Sequence, residues 1–184
     1  ATNSNDVLHK LFSENSYKKG KVTSTLAPSM DISVASNFER LLFNLFNNNS
    51  EKLQKTMSSF PKEQISVPGE YWKKAEDVFL SFPSTDQEIL QEIKNTFETS
   101  NYILDPHTST GVRAARELIS PDQSVITMAT AHPSKFMEAI KQVLAEDAVE
   151  TPSQLKDIED KQEDFVVLPD NIDKVREYIV SSIN

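Results

Sequence analysis

The chain has 184 residues, 38% hydrophobic and 26% charged, with a net charge of −9. That length suits one domain with a sizeable core, and the composition is globular rather than disordered or fibrous. The acidic balance leaves no electrostatic footprint for nucleic acid or an anionic membrane, the lack of cysteine excludes disulfides, thiolate zinc sites and a cysteine nucleophile, and Gly20, Gly69 and Gly111, the only glycines, are too scattered to build a phosphate-cradling loop.

No apolar run approaches the roughly 20 residues of a membrane-spanning helix, and no secretory pattern opens the chain. A cytoplasmic location is the expectation. The start, Ala1-Thr2-Asn3-Ser4-Asn5-Asp6, fits a cut inside a longer polypeptide and equally the removal of an initiator Met. Asn5 and Asp6 stand where caps would serve a helix carrying Val7, Leu8, Leu11 and Phe12. Ser29 and Asp31 belong to a Pro28-containing turn. Ser36-Asn37-Phe38-Glu39 has the form of a capping box, and Phe38, Leu41, Leu42, Leu45 and Phe46 follow at helical spacing. Asn47 to Ser50 ends that helix as a polar turn. Residues 48–88, with Pro61, Pro68 and Pro83, read as a helical insertion. Thr85-Asp86-Gln87-Glu88 is a second capping box, introducing Ile89, Leu90, Ile93 and Phe97.

Tyr102-Ile103-Leu104 reads as a short strand before Asp105-Pro106-His107, and Thr108 or Ser109 can cap a helix with Val112, Ala115, Leu118 and Ile119. After the turn signal Ser120-Pro121-Asp122, the β-branched run from Ser124 to Ala129 predicts a strand. Thr130-Ala131-His132-Pro133 then leads into a helix using Phe136, Met137, Ile140, Val143 and Leu144. Residues 123–145 thus read as strand, tight turn and helix, half of an α/β unit. Residues 146–184 read as a C-terminal extension. It holds a charged connector from Asp157 to Asp164, a third strand over 164–168, and a last helix from Asp170 with Ile172, Val175, Tyr178 and Ile179 on its apolar side. The fold class is α/β, rich in helix with a few sheet strands.

The histidines are His9, His107 and His132. They form no H-x-x-x-H or H-E-x-x-H pair, so a helical zinc site is unsupported. Capping or surface hydrogen bonding is their ordinary role. His107 and His132 nevertheless each follow a predicted strand, where open α/β sheets collect ligands. Thr108, Ser109 and Thr110 surround one, and Thr130 and Ser134 the other. A single shared pocket is the expectation.

Five blocks carry a resemblance: Ala1 to Asp6, Pro28-Ser29-Met30-Asp31-Ile32, Ser36-Asn37-Phe38-Glu39-Arg40, Asp105-Pro106-His107-Thr108, and Thr130-Ala131-His132-Pro133-Ser134-Lys135-Phe136. In this order they resemble the C-terminal portion of threonine synthase, in its fungal and proteobacterial form. The central helical region and the C-terminal stretch match poorly. The resemblance implies a tryptophan-synthase-β-like fold and an enzyme that converts O-phospho-L-homoserine and water to L-threonine and phosphate with pyridoxal 5′-phosphate. In that family a lysine holds the cofactor as a Schiff base and a Gly- and Asn-rich loop holds its phosphate. Neither context is found here, so the chain reads as a C-terminal segment, its partner being the missing N-terminal part of the same enzyme. It is expected to be inactive alone, with no catalytic residue of its own.

The resemblance places Thr130 beside the pyridine nitrogen. A neutral hydroxyl can bond that nitrogen without forcing its protonation, unlike a carboxylate, and a weaker electron sink suits an elimination that manages charge at successive carbons. The same threonine could simply terminate a strand. Asn5, Asp6, Ser29, Asp31, Asn37, Arg40, His107, His132 and Lys135 are candidate substrate-binding residues. Arg40 can grip a phosphate or carboxylate or pair with Glu39 or another nearby acid. Lys135 can add charge for a phosphate or stay a solvated surface lysine. Two other readings remain: a non-catalytic binding or regulatory module, and another cofactor-dependent lyase of the same fold class.

Overall fold

A computed structural model describes residues 1–156, 158 and 161–183. It divides into two compact units, Ala1–Glu150 and Thr151–Asn184. The first contains seven α-helices among the described residues: α1 (Val7–Glu14), α2 (Phe38–Leu45), α3 (Ser50–Met57), α4 (Gly69–Glu76), α5 (Asp86–Ser100), α6 (Pro106–Leu118) and α7 (Met137–Ile140). The second contains α8 (Ile172–Ile183).

Two apolar clusters hold the first unit. One joins Val7 and Leu11 of α1, Phe38, Leu42 and Leu45 of α2, and Trp72 and Ala75 of α4, with Tyr17, Ile65 and Val67 from the connecting chain. Residues 48–88 therefore contribute directly to a core. The other cluster joins Ile89 and Ile93 of α5 to Ala27, Leu104 and Ile140. It lies under α6, whose Ser109 hydroxyl donates to the Ile89 carbonyl at 2.9 Å. The interior face of α5 also buries Glu92, which accepts from the Thr96 hydroxyl at 2.9 Å and pairs with Arg116 Nε at 2.8 Å.

The predicted strands do not form. Residues 102–104, 124–129 and 164–168 are irregular, and pairing among the described residues is limited to two isolated bridges, Thr2 with Pro83 and Tyr17 with Ile65. A strand exists only through a ladder to a neighbour. The run over 124–129 leaves Val125, Ile126 and Met128 exposed rather than buried in a sheet. The expected α/β half-unit over 123–145 is thus an extended segment followed by a 3-10 turn, Pro133–Phe136, and the single-turn α7.

Several helix starts also differ. Thr85 and Glu88 form their capping box, the Glu88 N–H donating to Thr85 Oγ1 and the Thr85 N–H to Glu88 Oε2. Ser36 and Glu39 do not. Asn37 precedes α2 in a helical conformation with no side-chain cap, leaving Ser36 one residue too early. Asp105, not Thr108 or Ser109, caps α6, with Pro106 at its first position. α8 starts at Ile172, where Asn171 Oδ1 accepts from the Asp173 and Lys174 N–H groups at 3.0 and 3.1 Å. Part of the predicted connector, Asp157, Glu159 and Asp160, lies outside the described residues.

Candidate active site

The site begins at the start of α6. Asp105 takes an extended conformation and turns its carboxylate onto the first free amides of the helix, accepting from the His107 N–H at 2.9 Å and the Thr108 N–H at 3.4 Å. This satisfies orphan donors that a helix start always leaves. Pro106 lacks such a donor and presets the helical φ. The same carboxylate accepts from His107 Nδ1 at 2.9 Å and from the Thr108 hydroxyl. Its side chain is 0% exposed and that of His107 5%.

His107 has a defined tautomer. The Ser29 N–H donates to its Nε2 at 3.1 Å, so Nε2 is the lone-pair nitrogen and Nδ1 carries the proton. Both ring nitrogens are thereby used inside the protein. The ring packs against Phe136, with centroids 4.6 Å apart. His107 thus ties the Pro28–Met30 turn to α6. Thr110 completes the tie from the next turn of the helix, its hydroxyl donating to the His107 carbonyl at 2.8 Å and lying 3.7 Å from Met30 Sδ.

The segment after α6 folds back along it. Thr127 lies so close that a Cβ on Gly111 would come to 3.0 Å from its Cγ2, so glycine leaves room for that side chain against α6. This brings Thr130 to Thr108. The Thr130 N–H donates to Thr108 Oγ1 at 3.0 Å, and the two hydroxyl oxygens are 3.2 Å apart. Between α6, the 28–30 turn and residues 125–136 runs a cleft of about 580 Å³. Its lining is mostly apolar, from Met30, Ala114, Val125, Met128 and Phe136, with Ser29, His107, Thr108, Thr130 and Lys135 among its polar groups.

The structure thus brings four of the predicted residues to one cleft: Ser29, His107, Thr130 and Lys135. Asn5 and Asp31 meet elsewhere. Asn5 Nδ2 donates to Asp31 Oδ1 at 3.0 Å, Asn3 Nδ2 donates to the same oxygen at 2.7 Å, and the Thr25 N–H donates to Asp31 Oδ2 at 2.9 Å. That buried polar knot shapes the loop leading into Ser29. Asp6 pairs with Lys10 at 2.9 Å. Asn37 and Arg40 are exposed at the start of α2, away from the cleft lining. His132 caps the Pro133–Phe136 turn through the Ser134 N–H. The residues that sequence reasoning missed are Asp105 and Phe136. The Asp-Pro pair opening α6 was the available signal for the first.

A family model described as threonine synthase, C-terminal, matches residues 108–179. A threonine synthase of Pseudomonas aeruginosa is 39% identical over 181 residues, which is 97% of this chain. The chain belongs to the threonine synthase family. It spans 39% of the length of the Pseudomonas protein. Threonine synthase structures superpose on it closely: the pyridoxal phosphate-bound enzyme of Brucella melitensis at a TM-score of 0.84 and 32% identity, over 97% of this chain and 39% of that one, and the yeast enzyme at 0.83 and 28%, over 100% and 41%. The threonine synthase match includes Thr108, Thr130 and Lys135, three of the cleft's polar groups. Among the described residues no cluster of three or more His, Asp or Glu could hold a metal, and no helix is long and apolar enough to cross a membrane.

Proposed function

We propose that this chain forms one wall of a threonine synthase active site, in which O-phospho-L-homoserine and water become L-threonine and phosphate with pyridoxal 5′-phosphate. The observation that carries the reading is the Thr130 hydroxyl at an apolar cleft, held by Thr108 within the family-matched region. The cleft fits the cofactor's flat ring: apolar side chains suit its faces, and the Thr130 hydroxyl suits its ring nitrogen. When bound, the cofactor supplies an electron sink for the substrate's amino-bearing carbon.

The chain's own residues orient and enclose. Thr130 meets the ring nitrogen. Phe136 and Met30 keep water from the ring. Lys135, exposed at the cleft, attracts the substrate's phosphate. His107 positions rather than transfers protons, since both of its nitrogens are already engaged. With its three glycines apart, the chain offers no phosphate-binding loop, and we take that loop and the Schiff-base lysine from outside these 184 residues. A cytoplasmic location, the insertion over 48–88 and the extension over 146–184 belong to the same proposal.

Two measurements test it. The 184-residue chain mixed with pyridoxal phosphate should show no Schiff-base absorbance band and release no phosphate from O-phosphohomoserine; a band with turnover would overturn the division of labour. In the holoenzyme, Thr130→Val should weaken cofactor binding and slow phosphate release, and unchanged values for both would refute the placement of Thr130.

A further inference from the structure

The Pro28–Met30 turn is a self-contained piece with a narrow attachment. It closes on itself through the Met30 N–H to the Ala27 carbonyl at 2.9 Å and the Asp31 N–H to the Pro28 carbonyl at 3.1 Å. Among the described residues it meets α6 through two polar contacts. The Ser29 N–H donates to His107 Nε2 at 3.1 Å, and the Thr110 hydroxyl reaches Met30 Sδ at 3.7 Å. A thioether is a weak acceptor, so the hold falls on the imidazole. Accepting there requires the bare lone pair of a neutral ring. The other nitrogen is fixed in either charge state, since Nδ1 donates to Asp105 Oδ1 at 2.9 Å. A proton added at Nε2 therefore leaves the ring in place and turns its acceptor into a donor that faces another donor. His107 lines the cleft, which gives that proton a route from solvent.

We propose that His107 is a proton-operated latch on this turn: neutral, it holds the cleft wall formed by Ser29 and Met30 against α6; protonated at Nε2, it releases that wall. Each state has its own partner. The neutral ring has the Ser29 N–H, and the protonated ring has the Asp105 carboxylate beside Nδ1 as a counter-charge. Other titratable groups stand on the elements around the ring. Lys135 and the amino group of Ala1 belong to residues lining the same cleft. Asp31, at the end of the turn, is held by Asn3, Asn5 and Thr25, and His132 is bonded to Ser134. None of these touches Nε2, so the proton there is answered by Ser29 alone. The latch goes beyond the cofactor reading and needs no cofactor to operate.

The test is NMR of the 184-residue chain between about pH 8 and about pH 5.5, a span in which histidines titrate. The ring ¹⁵N signals of His107 report its charge, and the Ser29 amide reports the hold. The Ser29 amide signal should move with the same midpoint as the ring. Its protection against hydrogen exchange should fall roughly tenfold across that midpoint, the loss of one hydrogen bond. The Thr130 amide, held by Thr108, should keep its protection throughout. His107→Gln puts a non-titrating acceptor oxygen where Nε2 stands, and should keep the Ser29 amide protected at both ends of the range. In the holoenzyme, the KM of the wild type divided by that of His107→Gln should rise severalfold on acidification, a ratio in which the substrate's own titration cancels; this arm alone rests on the proposed function. A Ser29 amide indifferent to the charge of His107 would overturn the latch. Equal loss of protection at Thr130 would overturn it too, since that marks general unfolding rather than release of a turn. A flat KM ratio would overturn it as a control on the active site. Each of these failures leaves the placement of Thr130 at the cofactor untouched. The wild-type titration decides the matter even if His107→Gln does not fold.

Discussion

Replacing Asp105 with alanine is the sharpest test of how the site is built. The carboxylate caps α6 and is the acceptor for the buried His107 Nδ1–H and Thr108 hydroxyl. Loss of an N-cap costs about 1 kcal/mol. Leaving a buried donor unsatisfied costs about 1–3 kcal/mol, and Asp105→Ala creates two. Together the loss is roughly 3–7 kcal/mol, a large part of the roughly 5–15 kcal/mol that holds a typical domain. Asp105→Asn keeps an acceptor for the helix amides but turns an NH₂ toward a donor, and should cost about 1–2 kcal/mol. Urea titration of the 184-residue chain, followed by circular dichroism and by the fluorescence of Trp72, measures both. The slope with urea should stay constant, so that the midpoint alone reports the change. An alanine variant within about 1 kcal/mol of wild type would refute the assignment of Asp105 as the hub, because one lost cap already accounts for that much.

Gly111→Val should push residues 127–130 off α6, since even a Cβ would reach Thr127 Cγ2 at 3.0 Å; the Thr130 amide resonance would shift and lose protection. Gly111→Ala should be nearly neutral, because roughly 1 kcal/mol of gained helix propensity offsets the crowding. Hydrogen bonds from the Thr85 N–H and hydroxyl hold the Glu88 carboxyl below its usual range. A lowered folded value gives stability above the unfolded pKa that is lost as pH falls through the folded one. Thr85→Ala should therefore raise the Glu88 titration midpoint and cost about 1 kcal/mol at neutral pH, a gap that narrows on acidification, as carboxyl NMR and pH-dependent unfolding would show. Trp72→Ala, at a side chain 3% exposed and stacked near Phe12, should cost about 3–5 kcal/mol by thermal unfolding while leaving the Thr130 amide unchanged.

What was legible in the sequence was what local chemistry decides. Thr85 and Glu88 are three residues apart and complete a box without help from the rest of the chain. The amphipathic spacing of Phe38, Leu42 and Leu45 marks a buried face whichever residue caps it. The run over 124–129 has the β-branched side chains of a strand, but pairing is a property of two segments, and a propensity cannot supply the second. The cap of α6 was misplaced at Thr108 or Ser109 because a hydroxyl is a good cap. Asp105 is as good and is followed by Pro106, a residue that fits the first helical position and little after it. The cleft needed the fold. Ser29 and His107 are far apart in the chain, and only a backbone N–H donated across that gap joins them.

Two arms leave Asp105, and they make a separable prediction. One runs through His107 to the Ser29 N–H; the other runs through Thr108 to the Thr130 N–H and hydroxyl. They share the carboxylate and start from neighbouring residues of α6. His107→Leu removes the acceptor for Ser29 but leaves the Thr108 hydroxyl bonded to Asp105, so the Ser29 amide should exchange faster and the Thr130 amide should not. Thr108→Val should do the reverse. Asp105→Asn, acting at the branch, should loosen both. Hydrogen exchange at these two amides separates the cases. Faster exchange at Thr130 in His107→Leu would mean that the arms are coupled through the Phe136 packing against His107, and that the site moves as one rigid block rather than as two hinged walls joined at a carboxylate.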